Sequence, residues 1–129
     1  MNQGSEVVQL CIQGTQAEYA GRLGEACSLY AQAWELAAND VDACIAAHYV
    51  AHLQVDPAER LHWNQTALDR AIAADQDEVK GFYPSLYLNM GQSHELLGNL
   101  EEAQKFYNLA ASYGVIHVSN DQEQRLCKK

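Results

Sequence analysis

Five residues of this chain return at one fixed spacing. Gly14, Gly21, Ala26, Tyr30 and Ala33 are matched by Gly91, Gly98, Ala103, Tyr107 and Ala110, each pair 77 positions apart (91 − 14, and likewise for the rest). Small residues and one aromatic at a constant offset mark a structural unit that is built twice. Such a unit buries its apolar face by stacking on its neighbours, so the repeat constrains the fold more than any other feature.

The unit is helical. Ser5 is placed to cap a helix that begins near Glu6 and carries Val7, Val8, Leu10, Cys11 and Ile12. Gly21 and Gly24 bracket a turn, and Leu23, Ala26, Cys27, Tyr30, Ala33, Trp34 and Ala37 follow at intervals of three and four. Asn39 or Asp40 caps a third helix, from about 41 to 54, whose Ala43, Ala46, Ala47 and Ala51 predict close helix–helix approach. Asp56-Pro57-Ala58-Glu59 is a strong start signal for a fourth, with Leu61, Leu68 and Ile72 expected on its buried stripe. A fifth helix starts either at Glu78, capped by Asp77 and bent at Pro84, or at Pro84 itself. Gly98-Asn99 turns the chain into a sixth, from Leu100 to about Tyr113, which Gly114 ends as a left-handed cap. The expected hairpins are therefore about 6–38, 41–74 and 78–113. In the tail, 114–129, Val115 to Val118 is expected to pack on the last hairpin. All of this fits one domain over 1–129.

The formal net charge is −9, and residues 1–59 hold eight acids against one base, Arg22. Nucleic acid is a poor partner for such a surface, which favours a basic or neutral one. Of the four cysteines, Cys11, Cys27, Cys44 and Cys127, no two have C-x-x-C spacing, and the first three are expected to be small buried residues. The apolar runs are too short for a membrane span, and no secretory signal is visible. A reducing cytoplasm is the expected location.

The segment Tyr87 to Ala110 resembles the tetratricopeptide repeat. Tyr87 stands at its first aromatic position, Met90-Gly91 at its leucine-glycine pair, His94 in place of the next aromatic, and Ala103, Tyr107 and Ala110 complete its second helix. The resemblance implies an all-α, right-handed superhelical stack of three antiparallel hairpins, six main helices in all. It also implies a protein–protein interaction scaffold rather than an enzyme, with no cofactor. The middle hairpin departs from the pattern. Two repeats of about 34 residues leave roughly nine of the 77 to be absorbed there.

That family binds peptides along the first helix of each hairpin. Carried over, the groove candidates are Thr15 and Tyr19, then His48 and His52, then Ser85, Asn89 and Gln92. The basic residues of its carboxylate-gripping variant are replaced here by Cys11, Ser85 and Asn89, so that mode is not expected. His48 and His52, one helical turn apart, also admit a metal reading with Asp56 or His62 as third ligand, and Cys44 with His48 admits a thiol enzyme. A third alternative is self-association through the open ends of the stack.

Overall fold

The computed structural model describes residues 5–75 and 77–113 and is all-helical there. The helices are α1 (Glu6–Tyr19), α2 (Leu23–Leu36), α3 (Asp40–His52), α4 (Pro57–Ala74), the single turn α5 (Asp77–Lys80), α6 (Tyr83–Leu96) and α7 (Leu100–Ala111). Three starts carry the expected side-chain caps. Ser5 Oγ accepts from Val8 N–H at 3.1 Å, Asn39 Oδ1 from Asp42 N–H at 2.8 Å, and Asp56 from Ala58 N–H at 3.3 Å.

The helices pair as α1 with α2, α3 with α4 and α6 with α7. α2 then abuts α3, and α4 abuts α6, an arrangement consistent with a stack of hairpins. The repeated residues explain how the outer hairpins close. At Gly91 an added Cβ would stand 2.6 Å from the Tyr107 ring, and at Gly14 it would meet the Tyr30 ring closer still. Each glycine therefore lets a tyrosine of the second helix lie directly on the first. Tyr30 Oη–H donates to Glu18 and Tyr107 Oη–H to Glu95, so the carboxylates share the 77-residue offset. Gly21 (φ +83°) and Gly98 (φ +82°) make the left-handed turns that an L side chain resists.

The middle of the stack is built from alanine. Ala43, Ala46, Ala47 and Ala51 are buried along α3; Ala47 packs in one cluster with Ala67 and Ala71 of α4, and Ala46 in another with Val7, Cys11 and Ala33 of α1 and α2. α4 buries Asn64, Ala67, Leu68 and Ala71 and packs the half-buried Leu61 on the core, while Ile72, expected on the same stripe, is exposed. The start at Pro84 is met to within one residue, and the segment capped near Asp77 is separate from it. Asp77–Lys80 forms a turn of its own, anchored by the fully buried Val79, and α6 begins at Tyr83 with Pro84 in its first turn.

Two burial expectations need correction. Cys27 is exposed, unlike Cys11 and Cys44, because the buried positions of α2 are Ala26, Tyr30 and Ala33 and Cys27 lies off that line. Trp34 and Tyr87, aromatics for which helical spacing predicts a core place, are half-buried and pack against the edge of the core. Trp34 meets Trp63 edge-on with ring centroids 5.1 Å apart. No helix among the described residues is long and apolar enough to cross a membrane. The expected Gly114 cap, the Val115–Val118 patch and Cys127 lie outside the described residues.

Candidate functional site

α3 packs against α1, but it makes at most sparse contact with α6. Two adjoining cavities open along this face, and His48 lines both.

The first is polar, with a volume of about 130 Å³. His48 and His52 of α3, Arg60 and Asn64 of α4, and Asn89, Gln92 and Ser93 of α6 line it. Asn89 Nδ2 lies 3.4 Å from His48 Nδ1. In this orientation the amide donates to the imidazole when that ring nitrogen carries no proton. Burial, and second the neighbouring His52, hold the His48 pKa below its ordinary value, which agrees with a neutral ring. Beneath them Asn64 Nδ2 donates to Ser93 Oγ at 2.8 Å, a buried bond between α4 and α6. Arg60 donates to the Gln54 carbonyl at 3.2 Å.

The second cavity is apolar and larger, about 340 Å³. Val8, Cys11 and Ile12 of α1, Cys44, Ile45 and Tyr49 of α3, and Phe82 and Leu86 line it, with His48 and Ser85 as polar members. A mostly apolar wall with few polar groups is the usual character of a ligand pocket, and this volume is at the small end of the usual range of about 300–1,000 Å³.

Five of the seven groove candidates thus come together. His48, His52, Asn89 and Gln92 share the polar cavity, and Ser85 lines the apolar one. Two do not join them. Thr15 turns back into its own hairpin, donating to the Cys11 carbonyl at 3.0 Å and lying 3.3 Å from Tyr30 Oη. Tyr19 is 88% exposed, at the end of α1, and lines neither cavity.

The arrangement is unfavourable to the chemical alternatives. His52 Nε2 lies 2.8 Å from Glu18 Oε2, while His48 engages Asn89, so the two imidazoles have separate partners. Among the described residues no three of His, Cys, Asp and Glu converge as a metal-holding group, and neither Asp56 nor His62 completes one. Burial pushes the Cys44 thiol up to about 11, leaving it protonated near neutral pH and a weak nucleophile. Cys11 rises to about 12, through burial first and the Asp42 charge second.

Sequence reading missed Arg60, Asn64 and Ser93. For Asn64 a signal existed, an amide between Leu61 and Leu68 on an otherwise apolar helix face, which implies a buried partner. Phe82, an aromatic just before Pro84 at a helix entrance, is legible in the sequence as a half-exposed residue and is 43% exposed, whereas Ile45 carried no such signal, since only the gap between α3 and α6 gives it a cavity to line.

No family model, no curated protein and no solved structure matches the chain.

Proposed function

We propose that the chain is a binding module, a short tetratricopeptide-like stack that holds a peptide or protein segment along α1, α3 and α6. The observation that carries this reading is the convergence of His48, His52, Asn89 and Gln92 on one polar cavity, with an apolar cavity directly beside it. A row of amide and imidazole groups serves a ligand backbone, and the apolar recess serves a side chain. The two needs of an extended peptide are met side by side. The raised Cys44 pKa and the separate partners of His48 and His52 speak against an enzyme centred on those three residues.

The test is peptide selection from a random displayed library on immobilised protein. Affinity for the recovered peptides is then compared between wild type and an Asn89→Ala, Gln92→Ala double variant whose melting is first checked. Loss of two side-chain hydrogen bonds to ligand, each worth about 0.5–1.5 kcal/mol, is expected to weaken binding roughly tenfold. Equal affinity for every peptide would remove the groove assignment.

A further inference from the structure

α1, α3 and α6, which wall the two cavities, share a charge pattern. Together they contain no lysine and no arginine, while α1 carries Glu6 and Glu18, α3 carries Asp40 and Asp42, and α6 carries Glu95. The basic residues of the described chain stand elsewhere: Arg22 at the start of α2, Arg60 and Arg70 on α4, Lys80 on α5 and Lys105 on α7. Arg22 pairs with Glu25, Lys105 with Glu102, and Arg70 with Asp40, each within 3.0 Å, so of the acids on α1, α3 and α6 Asp40 is already matched by a base. Arg60, the one Lys or Arg lining either cavity, donates to a backbone carbonyl.

Two of these acids stand near the cavities without lining them, Glu18 of α1 and Asp42 of α3. Glu18 is joined to His52, one turn beyond His48. Asp42, three residues before Ile45, is itself buried; among the described residues its Oδ1 has no hydrogen-bond partner, and its charge reaches Cys11 on the cavity wall. The cavity itself is a poor place for a charge. Val8, Ile12, Ile45, Phe82 and Leu86 offer it no partner, and a bare charge moved there would lose several kcal/mol of hydration. An apolar side chain loses nothing comparable, and Ile12 (45% exposed) and Phe82 (43% exposed) leave apolar surface for it to cover.

We infer that the ligand is a basic peptide segment that seats one bulky apolar side chain between Val8, Ile12, Ile45 and Phe82, with flanking lysine or arginine against the acidic face. This inference rests on the groove reading above and gives it a partner chemistry. Apolar contact supplies the anchor. The acidic face raises the encounter rate and disfavours acidic competitors.

The same displayed library tests it, through the composition of what is recovered. Enrichment of peptides with one Leu, Phe or Trp among Lys and Arg is expected. For such a peptide, synthesised and labelled, alanine in place of the apolar residue should weaken binding roughly tenfold or more. Glutamate in place of the basic residues should abolish it. Raising salt from about 0.05 M to about 0.5 M should weaken it several-fold, because exposed charges are screened. On the protein side, Ser85→Trp should block the cavity. Glu18→Gln, which can still accept from Tyr30, should weaken the basic peptide several-fold without changing the melting temperature by more than a few degrees. Enrichment of acidic or purely polar peptides that still depend on Asn89 and Gln92 would overturn this inference and leave the groove reading standing. Peptides indifferent to Ser85→Trp and to the Asn89, Gln92 variant would overturn both.

Discussion

Cys44 lies one helical turn from His48, a spacing that in an open, electropositive cleft would invite thiol chemistry. Here the thiol is buried and its pKa is pushed up to about 11, while the imidazole is held neutral by burial and an amide partner. The pair is a packed wall of a cavity. Thiol labelling checks this residue by residue. In a Cys127→Ser background near pH 8, Cys27 should react at the rate of an exposed cysteine, and Cys11 and Cys44 should react only when the protein unfolds. Labelling of Cys44 as fast as Cys27 would contradict the account. The cysteines also mark what a sequence leaves unread. Composition placed Cys27 with the buried small residues, but α2 buries a line through Ala26, Tyr30 and Ala33. One position along a helix is a rotation of about 100°, enough to carry a side chain from core to solvent.

The outer hairpins each close on a glycine beneath a tyrosine, and this interaction belongs to the pair of helices. Gly91→Ala would drive a methyl into the Tyr107 ring and lift α7 from α6. Overpacking costs about 1–3 kcal/mol, offset by up to about 1 kcal/mol of better helix propensity. A melting temperature lower by several degrees is expected, and more for Gly14→Ala, where the contact is tighter. Gly24, with open space around its Cβ position, is the control, and Gly24→Ala should melt no lower than wild type. A neutral Gly91→Ala would remove this explanation of the repeat. Here the sequence was informative, since glycine and tyrosine recurred together at one offset. The carboxylates that receive the tyrosine hydroxyls recurred at the same offset and were readable by the same comparison. The start of α6 was readable to within one residue from Pro84, but the separate turn before it was not. What separates α5 from α6 is burial of Val79 against the α4–α6 core, a tertiary fact.

Across the whole molecule, the repeat made the helical hairpins legible, while the face they present depends on how far apart the hairpins stand. Asn89 and His48 are 41 residues apart and meet only because α6 stacks on α4 and faces α3 across a gap. The same gap makes a cavity wall of Ile45, which no local pattern singles out. The face formed by α1, α3 and α6 is proposed to bind a ligand. The most direct test is backbone amide NMR of the labelled protein titrated with a peptide selected on it. The account predicts shifts clustered at Val8, Ile12, Ile45, His48, Ser85 and Asn89, with the outer surfaces of α2 and α7 unmoved. Shifts confined to α2 or α7, or no saturable shift on the α1–α3–α6 face, would contradict it.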